Sequence, residues 1–129
     1  MNNFNTLCHQ FANILNGKPK IKSGVCSVEL DRNLNVSIQG RPIRGELGIE
    51  IMFESMDSYG NTLNRGETVL LDDEVLPISN YLVKNGISIS ALHNHWLFAE
   101  PNILYMHFQS VEPPLIFARK ISEAIKMLK

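Results

Sequence analysis

Residues 87–110, "ISISALHNHWLFAEPNILYMHFQS", decide the fold. Residues 87–96 and 102–110 each alternate apolar and polar side chains, which is the period of a strand, and a loop carrying Glu100 and Pro101 joins them. Alternation points Ile87, Ile89, Ala91, His93 and His95 one way and Ser88, Ser90, Leu92 and Asn94 the other. In the second run Leu104, Met106 and Phe108 form the apolar row, with Ile103, Tyr105, His107 and Gln109 opposite. If the two runs pair, His107 lies beside His93 or His95.

Helical periods flank this strand pair. Upstream, Asp72 or Asp73 can cap a helix whose positive end suits Asp73 and Glu74, and which tolerates Pro77 only in its first turn and stops at Asn85-Gly86. Downstream, Pro113-Pro114 opens a helix with Phe117, Ala118, Ile121, Ala124, Ile125 and Leu128 inward. At the other end, Phe4, Leu7, Cys8, Phe11, Ala12, Ile14 and Leu15 recur at helical spacing until Gly17 and Pro19. Between them, "VCSVEL" and "LNVSIQG" read as a hairpin turning at "DRN", with Cys26, Val28, Leu30, Leu34, Val36 and Ile38 on one face. "GIEIMFES" puts Ile49, Ile51 and Phe53 opposite Glu50, Met52 and Glu54. "MDSYGNTLNRGE" reads as an exposed turn region before a short strand "TVLL". The expected order is α-β-β-β-β-α-β-β-α: an α+β domain over residues 1–129, with about six mainly antiparallel strands and three helices covering one sheet face.

At 129 residues, 44% hydrophobic and 19% charged, the chain is long enough for one core. Twelve basic residues against thirteen acidic ones leave no field to draw in a phosphate backbone, so nucleic acid is not an expected partner. No apolar run reaches membrane-spanning length and the N-terminal residues have no leader pattern, so the sequence as it stands reads as cytoplasmic. Cys8 and Cys26 both fall on apolar faces, and in that setting two buried thiols are the expectation.

Three of the four histidines stand in the opening stretch. His93 and His95, two residues apart on a strand, have Cα atoms roughly 6.5 to 7 Å apart, from which both imidazoles can converge on one ion. His107 can supply a third nitrogen and Glu100, held extended by Pro101, an oxygen. Zinc, iron, manganese or nickel would suit such a set. The bland alternative is that strand histidines are ordinarily satisfied or half-exposed residues with no ligand. His93-x-His95-x4-Glu100 also matches the first half of the cupin metal motif, but the glycine that motif needs is replaced by His107 and its downstream histidine is missing. The contiguous letters "HNH" are not an HNH nuclease, whose named residues are dispersed over a ββα unit.

Taken together, "NGISISALHNHWLFAEPNILYMHF", the helix "PLIFARKISEAIK" and, upstream, "GVCSVELDRNLNVSIQGRPI", "GIEIMFES" and "GETVLLDDEVLPISNYLVKNG" resemble the bacterial LppY/LpqO-type domain of unknown function. The likeness covers nearly the whole chain. It implies that His93, Asn94, His95, Glu100, Pro101 and His107 occupy that family's motif positions and that Glu74 and Pro77 occupy its acidic helix start. It implies no reaction. Many members are exported lipoproteins, whereas this sequence shows no signal or lipobox.

Three functions compete at this stage. In a metal centre, His93, His95 and His107 ligate, and Glu100 is a fourth ligand or the base acting on a metal-bound water, with Glu74 a second candidate base. In a binding or regulatory module, the imidazoles with Asn94, Trp96 and Tyr105 line a cleft for a small molecule, with Phe98 as a lid. In an assembly domain, Ile49, Ile51, Ile87 and Ile89 on the uncovered face meet a second subunit in a homodimer.

Overall fold

Strand and helix periods resolve into two sheets and a helical layer in the computed structural model, which describes residues 3–129. The elements are α1 (Asn3–Ile14), β1 (Lys20–Lys22), β2 (Val25–Asp31), β3 (Ser37–Ile38), β4 (Arg41–Pro42), β5 (Gly48–Glu54), β6 (Thr62–Leu71), a 3-10 turn (Asp72–Glu74), α2 (Val75–Lys84), β7 (Ser88–His93), β8 (Ala99–Glu100), β9 (Ile103–Glu112) and α3 (Pro114–Ile125). The main sheet has six strands in the order β1-β2-β5-β6-β9-β7, and β4-β3-β8 form a small second sheet. The pairings are antiparallel. The architecture is α+β.

One face of the main sheet is buried by the helices. Phe11 and Ala12 of α1, Ile78 and Leu82 of α2 and Phe117 and Ile121 of α3 pack with Val28, Ile51, Phe53, Met106 and Phe108 in one core. Gly66 lies under Phe108, where a Cβ would come within 2.5 Å of the Phe108 ring, so only glycine lets β6 pass there. On the opposite face, the small sheet and its loops close a second apolar cluster of Val36, Val69, Ile103 and Tyr105 over one end only. The remainder of that face is open.

Four sequence expectations are overturned. Segments 25–31 and 34–38 do not form a hairpin: β2 pairs with β5 from Cys26↔Phe53 to Asp31↔Gly48, and Val36 packs in the second cluster. The intended turn fails because Arg32 is drawn inward to a buried partner, Glu74. Of the turn-rich segment only residues 56–61 lie outside a strand, since β6 already begins at Thr62. Polar residues hid that strand: Thr62 donates to Asn64 Oδ1 and Asn64 donates to the Glu112 carbonyl, which allows both to be buried. Cys8 and Cys26 are not two thiols but a disulfide joining α1 to β2. Finally, Ile49, Ile51, Ile87 and Ile89 lie in or against the helix-covered core rather than on the uncovered face, which removes the apolar surface on which the homodimer expectation rested.

Candidate functional site

The alternation of β2, β5, β6 and β9 sends one side chain in two away from the helices, and along one line these are acidic or basic in register. Glu29 pairs with Glu50, Glu50 with Glu67, and Glu67 with His107, so one row crosses four strands. Tyr105, opposite His93, belongs to the next row. Together with the loop residue Glu46, these side chains bound a cleft of about 400 Å³ whose polar lining is Glu29, Asp31, Glu46, Glu50, Glu67, His93, His95, Tyr105 and His107.

A register shift in β7 between Ile89 and Ala91 makes the histidine arrangement. Strict alternation places Ile87 and Ile89 with the histidines; the irregularity at Ser90 instead leaves the isoleucines in the core and turns Ala91 and His93 to the open face. His93 and His107 then meet tip to tip, with their Nε2 atoms 3.1 Å apart, ring centroids 5.2 Å apart and ring planes 19° from parallel. His107 Nδ1 lies 3.4 Å from Glu67 Oε2. His95, in the bend after β7, sits 5.6 Å ring to ring from His93 and 5.0 Å from Tyr105, with Nε2 3.4 Å from Glu46 Oε2.

The remaining sequence candidates divide. Tyr105 is at the site, where its hydroxyl donates to the Glu46 carbonyl; burial and the Glu46 carboxylate push its phenol up, so it stays a neutral donor. Trp96 donates to Glu46 Oε2 from the rim and packs edge-on against His95. Asn94 points along the strand ends to Asn102 and the Ile103 carbonyl instead of into the cleft. Phe98 is 72% exposed. Glu100 is in β8, paired with Ser37 of the small sheet and exposed, away from the cleft lining. Glu74 is also elsewhere, 3% exposed and held by Arg32 through two contacts of 2.7 and 2.8 Å. Burial pushes its carboxyl up, but Arg32 and the backbone N–H groups of Lys129 and Leu71 outweigh that and hold it below the usual range. Such a carboxylate is a structural anion.

The acids of the cleft escaped the sequence reading. Alternation in "VCSVELD" does place Glu29 and Asp31 away from Cys26 and Val28, but only the order of the strands shows that they share a row with Glu50, Glu67 and His107. Burial, the charges of Glu29 and Glu67 and a hydrogen bond with Glu29 raise the Glu50 carboxyl, against a weaker lowering by Lys20. Among the described residues, no group of three or more His, Cys, Asp or Glu side chains is already arranged around a single metal position. His93 and His107 are a converged pair, with His95 and Glu46 beside them.

A family model described as Domain of Unknown Function (DUF1259) matches residues 9–127. No curated protein and no solved structure gives a significant match.

Proposed function

The chain belongs to the family described as Domain of Unknown Function (DUF1259); that description assigns no activity, so function has to be argued from the cleft, and we propose that the cleft binds a divalent metal ion through His93 and His107. The observation that carries this reading is the 3.1 Å approach of their Nε2 atoms. Two nitrogens each about 2.0–2.1 Å from a tetrahedral ion stand roughly 3.3 Å apart, so the pair is already spaced as two ligands. Five carboxylates lining the same cleft favour a cation over an anion. His95 and Glu46, adjacent but turned to each other, are the donors that complete the set once their side chains turn toward the pair. The motif "ALHNH" with Glu100-Pro101 and "MHF" supports placing the domain with the LppY/LpqO type.

Metal analysis of protein purified without an affinity tag, and zinc titration of wild type, His93→Ala and His107→Ala, test the proposal. One equivalent bound by wild type and lost in either variant is the expected result. No binding by wild type, or binding that neither substitution changes, overturns it.

A second reading has its own support. A cleft of about 400 Å³ is far larger than an ion needs and is within the range of small-molecule pockets. In that reading the imidazoles and Tyr105 are hydrogen-bonding groups for a polar, cation-bearing small molecule, and Trp96 is a rim contact. Zinc-independent saturable binding of such a ligand, unaffected by a chelator, separates it from the first.

A further inference from the structure

The Nε2–Nε2 approach works only if at least one of the two nitrogens presents a lone pair, because two N–H groups facing each other at 3.1 Å repel. In a neutral imidazole, the hydrogen bond made by one ring nitrogen decides where the proton sits. His107 makes its second contact through Nδ1, which lies 3.4 Å from Glu67 Oε2. We propose that Glu67 is the positioning residue of the histidine pair: its carboxylate accepts from His107 Nδ1–H and so turns the His107 Nε2 lone pair toward His93 and toward any ion the pair holds. This inference rests on the reading that His93 and His107 act as one site, and it names the residue that orients them.

The register makes this a built relationship. Glu67 and His107 are direct partners across β6 and β9, so their Cβ atoms leave the same face at adjacent positions. The contact that Glu67 makes with the pair is to His107, through which it acts as outer carboxylates act on metal-bound imidazoles. The same tautomer serves the metal-free protein, in which His93 donates from Nε2 to His107 Nε2 and the pair holds its geometry.

The test reads the proton position directly. Long-range 1H–15N spectra of the imidazoles at about pH 9, above the ordinary imidazole range, are compared for metal-free wild type, Glu67→Leu and Glu67→Gln, and zinc affinity is measured for each. Wild-type His107 is expected to carry its proton on Nδ1, Glu67→Leu to move it to Nε2, and Glu67→Gln, whose amide oxygen can still accept, to retain much of the wild-type form. Zinc affinity is expected to fall about 10- to 100-fold in Glu67→Leu and less in Glu67→Gln. A wild-type proton on Nε2, or a tautomer unchanged in Glu67→Leu, overturns the proposal whether or not zinc binds. The expected tautomer shift in a protein that binds no zinc sinks the metal reading and upholds the role of Glu67.

Discussion

His93 and His107 meet through their Nε2 atoms at 3.1 Å, whereas Glu100, only seven residues from either in sequence, stands in the small sheet paired with Ser37. Sequence distance is therefore a poor guide to membership of this site. If the pair is the core of a metal centre, His93→Ala and His107→Ala each lower zinc affinity by about tenfold or more, a loss of at least about 1.4 kcal/mol. His95→Ala lowers it less, and Glu100→Ala leaves it unchanged. Calorimetric titration ranks the four, and a large loss in Glu100→Ala alone would discard this assignment of ligands.

Arg32 and Glu74 form a second polar relationship, with a structural consequence. Both side chains are almost fully buried, and Arg32 also donates to the Val69 carbonyl, so the pair ties the loop after β2 to β6 and to the start of α2. Removing one charge leaves the other desolvated, and Glu74→Gln is expected to cost about 3 kcal/mol or more. The folded-state carboxyl is depressed below its ordinary value of 4.5. Its stabilising contribution is therefore complete above 4.5 and is lost as pH falls from there through the depressed folded-state value. Denaturant unfolding of wild type and Glu74→Gln should show a gap at neutral pH that closes on acidification below 4.5.

The same two residues show what sequence reading can reach. The strand pair, the three helices and the face carrying Tyr105 and His107 followed from side-chain periods, because burial on one face leaves its mark locally. Glu74 was visible as a helix-start acid, a local role, but its partner Arg32 is 42 residues away and nothing in the periodicity points to it. The row Glu29, Glu50, Glu67 and His107 was hidden in the same way, since each residue obeys its own strand's alternation and only strand order brings them together. Ser90 misled for the opposite reason. One irregular residue reverses the facing of everything before it, and alternation alone does not reveal where such a shift occurs.

The Cys8–Cys26 bond joins residues 18 apart and links α1 to an inner strand of the sheet. Closing a loop of that length restricts the unfolded chain, and the bond is expected to contribute about 3 kcal/mol. Cys8→Ala/Cys26→Ala should lower denaturation midpoints accordingly, and thiol counting on unreduced, denatured protein should find no free cysteine among these two. Two titratable thiols, with stability unmoved by reductant, would be the contrary result. Such bonds persist in oxidising compartments, so the same count also bears on the cytoplasmic expectation.

Gly66 predicts a packing defect. An added Cβ would meet the Phe108 ring at 2.5 and 2.6 Å and the Ile51 side chain at 2.9 Å, all within the helix-covered core. Gly66→Ala is expected to destabilise by about 1–3 kcal/mol, because buried rings have little room to yield. Since Gly66 neighbours Glu67 but faces the core, zinc affinity measured well below the melting temperature should survive. Loss of affinity in a folded Gly66→Ala protein would mean that the core and the cleft are more tightly coupled than the register implies.

Glu50 predicts the reverse sign. It lies between Glu29 and Glu67 on the open face, and burial followed by those two charges raises its carboxyl above the ordinary 4.5. A carboxyl with a raised folded-state value costs nothing below the unfolded value; the cost grows as pH rises and the folded protein must give up the proton. Glu50→Gln is therefore expected to stabilise the protein at neutral pH, by less than about 1 kcal/mol because the group is partly solvated, and to have no effect once pH falls below 4.5. A divalent cation held in the cleft relieves the same repulsion, so saturating zinc should shrink the difference between the variant and wild type at neutral pH. Thermal melts at two pH values, each with and without zinc, read both effects; a neutral-pH loss of stability in Glu50→Gln would show that Glu50 makes a contact worth more than the repulsion it suffers.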